Sequence, residues 1–454
     1  MGLDISIGWL TIIMFSTLAL LLMSGLPLAF VTGGLGVVFL YVFGSIEMLN
    51  LLPSRIFPAM TNYQLSAIPL FIFMASVLEK SGLIEELFDV IYKLLGGIKG
   101  GLATSAIIAS TLLAAMVGVI GATEVAMGII ALPAMLKRKY NPEMACGAIL
   151  AGGSLGILIP PSILAILFAV VAQQSVGELF IGSVLPGLLL SGLYVAYVTG
   201  LSYFKDGYGP ALPKEERLTV FEKVKLIRSI LAPFILVVLV LGIIFSGAAT
   251  PVEAAGIGTY GALFVAALSR RLTWDNMRDA ALTTLKNTAM VLWIMFGASI
   301  FVGFYILQGG QAFVRETMVG LGLGPYGILI LMNFILIILG MFLDWVGILL
   351  LAVPIFTPLV LSLPWDGLFG LPGVHPSEVA LWFGVVYMVN MQMSFLSPPF
   401  GYALFYLKSV APPEITMRMI FKSALPFLAI QVIGLALVVI FPELVLWLPR
   451  LVYG

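Results

Sequence analysis

Ala-Gly-Gly-Ser-Leu-Gly-Ile-Leu-Ile-Pro-Pro-Ser occupies residues 151–162, in the middle of an apolar segment that spans about 143–175. Its three glycines and two adjacent prolines remove backbone hydrogen bonds, which lipid cannot replace. The freed carbonyl groups are tolerated only where they line a cavity or bind a cation. Close packing between helices is the alternative explanation, but it accounts for the glycines and not for the paired prolines. We therefore predict a broken membrane helix over about 143–175.

A second stretch of the same kind, Asn-Met-Gln-Met-Ser-Phe-Leu-Ser-Pro-Pro-Phe-Gly, occupies residues 390–401. Its polar side chains at mid-membrane depth cost free energy unless each is bonded to a partner or a ligand. Hydrogen bonds between neighbouring helices would also satisfy them. An unwound segment rich in side-chain oxygen atoms is the better explanation, and it predicts a second broken helix over about 381–407.

The composition is that of a membrane protein. The chain has 454 residues, of which 61% are hydrophobic and 10% charged, and its mean hydropathy is +1.14. A soluble domain carries about a quarter charged residues, so this composition excludes that class and makes the lipid bilayer the surroundings of the protein. The net charge is zero, which gives no indication of nucleic-acid binding. A single cysteine and a single histidine exclude an internal disulfide and a histidine-rich metal site.

Two apolar stretches, about 102–136 and 327–363, are too long for one membrane crossing and too short for two crossings with a loop. We interpret both as helical hairpins that enter and leave the membrane on the same side. With that interpretation, nearly all of the 22 lysines and arginines fall on one face of the membrane. The exceptions are Arg55, Arg315 and Arg450. The positive-inside rule makes the basic face cytoplasmic and places both termini outside.

The order of these elements repeats along the chain. Residues 1–203 form a first repeat, residues 204–228 a cytoplasmic linker and residues 229–454 a second repeat. The clearest match aligns Ile-Pro-Pro-Ser at 159–162 with Ser-Pro-Pro-Phe at 397–400. Each half is predicted to cross the membrane an odd number of times, so the second half is inverted relative to the first. Inverted repeats with broken helices are typical of alternating-access transporters.

The tips of the two hairpins place polar groups opposite the helix breaks. The first hairpin turns around Gly118–Glu124 and the second around Gly340–Asp344. Thr123 and Asp344 are equivalent, because each lies ten residues before a proline in the returning helix. Carboxylates at membrane depth are rare and by default functional. Glu124 and Asp344 could pair with a neighbouring helix, and Glu124 could instead reach water, but no lysine or arginine lies within the core of the predicted segments.

Oxygen ligands from carbonyls, hydroxyls and carboxylates suit a hard monovalent cation. Each hairpin tip, together with the helix break opposite it, offers such ligands. The helices that begin near Ser162 and Phe400 point the positive ends of their dipoles toward the centre, which favours an anionic group. We therefore expect two sodium sites, one per repeat, on either side of a substrate that carries a carboxylate. The residues expected near that substrate are Glu124, Gly153, Pro160, Pro161, Ser162, Pro398 and Pro399.

Further stretches resemble a known family. They read Ile-Pro-Leu-Phe-Ile-Phe-Met at 68–74, Leu-Glu-Lys-Ser-Gly at 78–82 and Ala-Thr-Pro-Val-Glu-Ala-Ala at 249–255, and they join the motif at 152–162. Together they are similar to the large membrane subunit of TRAP (tripartite ATP-independent periplasmic) transporters, over essentially the whole chain. The resemblance implies an all-α polytopic membrane protein with an elevator-type scaffold and transport domain, which takes up a small organic anion together with sodium ions. The sequence contains no Walker A pattern, in agreement with ATP independence.

The resemblance also implies partners and ion ligands. The partners are a soluble periplasmic binding protein and a small four-helix membrane subunit, expected as a separate chain because no such helices precede residue 1. The ligands carried over for one sodium site are Gly118, Val119, Thr123, Gly152, Ser154 and Gly156. Those for the other site are Gly340, Asp344, Asn390, Gln392, Ser394 and Ser397. Family members often have a turn with serine and aspartate where this chain has Val119 and Thr123, so we expect backbone carbonyls to supply more of the first site.

Three alternatives remain open at this point. A stand-alone sodium-coupled dicarboxylate or citrate symporter of the same superfamily would share the repeats but need no binding protein. An ion channel would need no inverted repeat with two closed hairpins. An intramembrane hydrolase is disfavoured, since the sequence offers no buried histidine to a serine nucleophile and no paired aspartates. The sequence therefore predicts a transporter and not an enzyme, with no catalytic residues, no cofactor and Na⁺ as the coupling ion.

Overall fold

The computed structural model describes residues 5–44, 46–118, 120–205, 207–213, 220–365 and 373–453. These described residues form twenty α-helices and no strand. The helices of the first half are α1 (Ile7–Met23), α2 (Leu28–Phe43), α3 (Leu51–Met60), α4 (Ala67–Lys80), α5 (Leu83–Leu95), α6 (Gly101–Val117), α7 (Ile120–Lys137), α8 (Pro142–Ser154), α9 (Ile163–Ala172) and α10 (Val176–Phe204). The helices of the second half are α11 (Val220–Phe245), α12 (Pro251–Leu268), α13 (Trp274–Leu307), α14 (Gly310–Gly320), α15 (Gly324–Phe342), α16 (Trp345–Ser362), α17 (Val379–Leu396), α18 (Tyr402–Val410), α19 (Met417–Ile440) and α20 (Glu443–Tyr453).

Many of these helices are suited to a membrane. Within the described part of the chain, 8 helices are at least 18 residues long and apolar enough to cross a bilayer. They include α10, with 29 residues, and α13, with 34. α1 and α2 are also apolar but shorter, at 17 and 16 residues. A helix satisfies its own backbone hydrogen bonds in lipid, so this architecture confirms the all-α polytopic membrane fold predicted from the sequence.

Both predicted hairpins are present. The stretch predicted at 102–136 folds into α6 and α7, which pack against each other on either side of Gly118. Gly118 adopts φ +64°, a left-handed conformation that ends α6 and that other residues rarely adopt. The stretch predicted at 327–363 folds into α15 and α16, which also pack together and turn at Leu343 and Asp344. In each hairpin the chain returns to the side from which it entered.

Both predicted broken helices are interrupted where their prolines lie. α8 and α9 are separated by one 3₁₀ turn and by the first pair of prolines. Ser162 caps α9, because its hydroxyl accepts a hydrogen bond from the amide of Ala165 at 3.4 Å. α17 and α18 are separated by residues 397–401, which contain the second pair of prolines. The Pro160–Pro161 and Pro398–Pro399 peptide bonds are both cis.

The packing of the helices repeats between the two halves. α7 of the first hairpin contacts α8 and α18, and α16 of the second hairpin contacts α17 and α9. α19 packs on α8 as α10 packs on α17, and α2 packs on α13 as α12 packs on α4. Exchanging the halves maps each of these contacts onto another, as expected for two repeats. Each hairpin touches the broken helix of its own half and that of the other half, which brings all four elements together at the centre.

The connection between the halves differs in part from the predicted linker at 204–228. α11 begins at Val220, so the last residues of that linker are helical, and residues 214–219 lie outside the described part of the chain. The start of the linker packs on the first half, where the carbonyl of Gly209 accepts a hydrogen bond from the amide of Gly100 at 2.8 Å. The division of the chain into two repeats at this linker stays a prediction.

Three short helices were not predicted from the sequence. α3, α14 and α20 have only 10 or 11 residues, too few to cross a membrane. These segments mix apolar and charged residues, so a search for long apolar stretches passes over them.

Candidate functional site

The tip of the first hairpin lies directly on the first helix break. A Cβ atom built at Gly118 would lie 2.4 Å from the carbonyl oxygen of Pro161. That distance is far inside van der Waals contact, so only glycine lets the tip and the break approach this closely. The neighbouring predicted ligand, Val119, lies outside the described residues.

The second hairpin approaches the second broken helix just as closely. A Cβ atom built at Gly340 would lie 2.2 Å from the Cβ atom of Ser394 on α17. The ring centroids of Phe342, at the end of α15, and Phe400, in the break, lie 5.7 Å apart. Each hairpin thus meets the broken helix of its own half.

Asp344 stands at the start of α16 beside open space. It is the N-cap residue of that helix, where the helix dipole favours a negative charge. Its Oδ2 atom is buried and has no hydrogen-bond partner among the described residues. The residue lines two cavities, of about 640 and 560 Å³. A cation entering either cavity would meet a carboxylate with an unpaired oxygen atom.

A series of buried hydrogen bonds between side chains connects the two broken helices. The hydroxyl of Ser154, at the end of α8, lies 3.4 Å from Oε1 of Gln392 on α17. Nε2 of Gln431 on α19 donates to the same hydroxyl at 3.3 Å. All three side chains have an exposed fraction of 0%. Ser154 and Gln392 were expected in different sodium sites, and the structure brings them into contact with each other.

A second polar cluster holds α17 to α15. Nδ2 of Asn390 donates to Oδ1 of Asn333 at 2.8 Å and to its backbone carbonyl at 3.1 Å. The hydroxyl of Ser394 donates to the carbonyl of Leu336, on the same helix as Asn333, at 3.2 Å. Ser397 instead bonds within its own helix, at 2.7 Å from a carbonyl one turn earlier. Two of the predicted ligands, Asn390 and Ser394, therefore lie close together, and the Ser397 hydroxyl bonds elsewhere.

Asn333 and Gln431 are functional candidates that the sequence reasoning missed. Each is a single amide within the apolar stretch of its helix, α15 and α19 respectively. A single amide in an apolar helix could have identified both residues from the sequence, because a polar side chain at membrane depth needs a partner. Residue spacing alone does not show which helix supplies the partner.

The predicted site residues differ in exposure between the two halves. Those of the first half are buried wherever the structure describes them, at Gly118, Thr123, Glu124, Gly152, Gly153, Ser154, Gly156, Pro160, Pro161 and Ser162. In the second half, Pro398 is partly exposed and Pro399 is exposed. The alternative that Glu124 reaches water is wrong, since its exposed fraction is 0%. The second break is therefore partly open at the protein surface, whereas the first break is covered.

The larger cavity reaches both hairpins. It is lined by Gly121 of the first hairpin, by Asp344 of the second, and by Tyr402 and Tyr406 of α18. Its lining also includes Lys80, at the end of α4. The cavity therefore extends from the region of the hairpin tips to the end of α4.

This arrangement suits a cation and an anion bound side by side. α8 and α17 end at the breaks, and α9 and α18 begin there, so the negative ends of two helix dipoles and the positive ends of two others lie at the breaks. Among the described residues, no group of three or more histidine, cysteine, aspartate or glutamate side chains could hold a metal ion. The ligands on offer are carbonyl, hydroxyl and amide oxygen atoms with isolated carboxylates, which are the ligands of a hard monovalent cation.

Comparison with known proteins identifies relatives over almost the whole chain. Residues 15–444 match the family described as tripartite ATP-independent periplasmic transporter, DctM component. The chain is 32% identical to the C4-dicarboxylate TRAP transporter large permease protein DctM of Pseudomonas aeruginosa, over 87% of this chain and 88% of that protein. It is 30% identical to the sialic acid TRAP transporter large permease protein SiaM of Vibrio cholerae, over 96% of this chain and 97% of that protein.

A solved structure has a similar fold. The crystal structure of the Alcanivorax borkumensis YdaH transporter, reported to have an unusual topology, superimposes with a TM-score of 0.62 at 15% identity, over 96% of this chain and 98% of that one. At this identity the likeness shows the fold alone. The relatives in sequence are named as transporter permeases and not as enzymes. Because the family match covers the hairpins, both helix breaks and the helices around them, this chain belongs to the DctM component family of TRAP transporters and is a large permease subunit of the bacterial inner membrane.

Proposed function

We propose that this chain forms the pathway by which a small organic anion enters the cell together with sodium ions. The observation that carries the proposal is the cavity of about 640 Å³ lined by both hairpins and by α18, next to the second helix break. Secondary transporters hold substrate and coupling ions where discontinuous helices meet. The family description, ATP-independent, agrees with uptake driven by an ion gradient.

Sodium is proposed as the coupling ion on chemical grounds. The two junctions offer the hydroxyls of Thr123 and Ser154, the amide oxygens of Asn390 and Gln392, and the carboxylate of Asp344. Such hard oxygen ligands suit Na⁺ and do not select a transition metal. The contact between Ser154 and Gln392 would couple the two sites, because an ion that orders one of these side chains also positions the other.

A carboxylate is proposed as the anionic group of the substrate. The two relatives are named for C4-dicarboxylates and for sialic acid, all of which carry carboxylate groups. In this chain α18 begins beside the exposed Pro399, and the positive end of its dipole favours an anion there. Tyr402 and Tyr406, on the first two turns of α18, line the cavity and offer hydroxyl groups as hydrogen-bond donors.

The proposal includes two protein partners and a movement of one part of the chain relative to the other. A periplasmic binding protein would deliver the anion and a small membrane subunit would complete the assembly, as the word tripartite indicates. Both termini would lie in the periplasm, since the basic face is cytoplasmic. The hairpins, the broken helices, α10 and α19 pack on one another and would move as a transport domain, while α2, α4, α12 and α13 pack as a scaffold. An elevator-type displacement would then expose the cavity to each side in turn.

Removing the charge of Asp344 tests the sodium proposal. Asp344→Asn keeps the size of the side chain but weakens its attraction for a cation, so half-maximal uptake should need at least about tenfold more sodium. The measurement is uptake of a radiolabelled anion into proteoliposomes at increasing external sodium. Asp275→Asn, which changes an exposed aspartate in the first turn of α13, is the matched control and should behave as wild type. Unchanged sodium activation in the Asp344 variant would exclude this residue from the ion site.

A further inference from the structure

Glu124 is a buried carboxylate with no visible partner. It lies on α7, just beyond the tip of the first hairpin, and its exposed fraction is 0%. Neither carboxylate oxygen has a hydrogen-bond partner within the described part of the chain. A Cβ atom built at Gly153 would lie 2.1 Å from Cγ and 3.2 Å from Oε1 of Glu124. The carboxylate is therefore pressed against the backbone of α8 at the start of the first helix break.

Other unpartnered polar atoms gather around the same turn of α8. Oγ of Ser110 has no partner and would lie 2.9 Å from a Cβ atom built at Gly152. Nε2 of Gln392 and Oε1 of Gln431 also lack partners, and both side chains meet the hydroxyl of Ser154. Buried polar groups are nearly always hydrogen-bonded, so these atoms around one turn of helix remain available as ligands.

The helices around Glu124 supply no neutralising charge. The charged and titratable residues in the sequences of the helices that pack on α7 are Glu85, Glu86, Asp89, Tyr92 and Lys93 on α5, Glu143 and Cys146 on α8, and Tyr402, Tyr406 and Lys408 on α18, with none on α6. The Tyr406 ring packs on α7 three residues before Glu124, since a Cβ atom built at Gly121 would lie 3.1 Å from it. Lys93 pairs with Asp89, and Lys408 donates to a backbone carbonyl at 2.7 Å. A buried carboxylate without a partner carries a large free-energy penalty unless a proton or a cation neutralises it.

The surroundings favour a cation over a proton. α8 ends at Ser154, one residue after Gly153, so the negative end of its helix dipole lies beside the Glu124 carboxylate. A proton would neutralise the carboxylate but would not interact with the carbonyl oxygen atoms at this helix end. A cation can be shared by the carboxylate and those carbonyl oxygen atoms.

We propose that Glu124 is the charged ligand of the first sodium site, together with Thr123 and the turn of α8 at Gly152–Ser154. This inference rests on the sodium coupling proposed above. Glu124 supplies the carboxylate that the first hairpin otherwise lacks, so each hairpin provides one acidic ligand, Glu124 in the first and Asp344 in the second.

The test is a sodium titration of thermal unfolding on the purified full chain, with potassium at constant total ionic strength. Glu124→Gln preserves the shape of the side chain, and we expect it to raise the sodium concentration for half-maximal stabilisation at least about tenfold. Glu143→Gln is the matched control, because Glu143 is a half-exposed glutamate on the neighbouring helix and should leave the titration unchanged. Combining Glu124→Gln with Asp344→Asn should abolish the stabilisation by sodium.

The outcomes separate this inference from the sodium proposal itself. A Glu124→Gln protein that titrates like wild type would overturn the inference and make Glu124 a neutral packing carboxyl. A wild-type protein that is neither stabilised nor driven by sodium would instead overturn the coupling. If Glu124→Gln fails to fold, a sodium-minus-potassium infrared difference spectrum of Asp344→Asn decides the question. A sodium-induced carboxylate band supports Glu124 as a ligand, and its absence contradicts that role.

Discussion

At the scale of single residues, each buried side-chain amide of this protein needs a hydrogen-bond partner. Asn390 and Asn333 are 0% and 8% exposed, and the first donates to the second at 2.8 Å. The pair joins the second broken helix to the second hairpin, so it positions Asn390 beside the proposed ion site. A buried amide that loses its partner costs about 1–3 kcal/mol.

Replacing Asn333 tests that requirement. Asn333→Leu should lower the free energy of unfolding by about 1–3 kcal/mol, because the amide of Asn390 loses its better acceptor. Thermal or denaturant unfolding in detergent measures the change. Asn287→Leu is the control, since Asn287 is partly exposed on the wall of the large cavity. Equal stability of the two variants would show that the Asn333–Asn390 contact contributes little.

Residue types could be predicted from the sequence, but their partners could not. Asn390, Gln392 and Ser394 were recognised because each is polar in an apolar stretch. Asn333 and Gln431 meet the same criterion, yet they stand alone in their helices and belong to no motif. The contact between Ser154 and Gln392 depends on how two distant segments pack, and spacing along the chain carries no information about it.

At the scale of helices, glycine sets how closely each hairpin approaches its broken helix. A methyl group added at Gly340 would collide with Ser394, so Gly340→Ala should push α15 away from α17. We expect a loss of stability of about 1–3 kcal/mol and a marked loss of uptake. Gly256→Ala on α12 is the matched control, because no atom lies within 4 Å of the added group. Equal uptake by the two variants would contradict close packing at this junction.

The short C-terminal helix is held by a cluster of charges. Arg450 on α20 makes two hydrogen bonds to Glu378, both at 2.7 Å, and one to Glu443 at 2.6 Å. These carboxylates raise the pKa of the Arg450 guanidinium further above its ordinary value. The contact ties α20 to the start of α17, which carries several of the proposed ion ligands.

A double-mutant cycle measures the strength of this tie. The coupling free energy between Arg450→Met and Glu378→Gln should be about 1 kcal/mol, because the pair is bidentate and only partly exposed. Lys422 and Glu143, whose charged atoms lie 4.0 Å apart on the surface, should show much weaker coupling. Coupling of the same size in both pairs would show that the two contacts near Glu378 have no special role.

The helices that could be predicted were those with a strong physical signal. Hairpins followed from apolar stretches of unusual length, and breaks followed from paired prolines, since lipid leaves no other way to satisfy the backbone. α3, α14 and α20 were missed because they are short and mix apolar and polar residues. In α13 the polar start and the apolar part form one uninterrupted helix of 34 residues, a continuity that a search for apolar stretches does not show.

At the scale of the whole molecule, the side on which the large cavity opens can be measured directly. Cys146 is the single cysteine of the chain and is 0% exposed, so it should not react with a membrane-impermeant maleimide. Ala126→Cys places a thiol on the cavity lining. We expect labelling in inside-out vesicles and not in right-side-out vesicles. The reverse pattern would contradict the predicted cytoplasmic position of the basic face.

The overall design could be predicted because charge and length act across the entire chain. The basic residues, the two hairpins and the matching proline pairs each pointed to two related halves, and the exchangeable helix contacts agree with them. The asymmetry of the site could not be predicted, since it depends on packing. The first break is covered, whereas the second is exposed at Pro399.

The central claim is that an ion gradient drives this transporter. The direct measurement is uptake of radiolabelled C4-dicarboxylate and sialic acid into proteoliposomes that contain this chain, its small membrane subunit and a loaded periplasmic binding protein. We predict accumulation of one of these anions when sodium is higher outside, and none when sodium is equal on both sides or the binding protein is omitted. Accumulation of equal rate and extent without a sodium gradient would contradict the account.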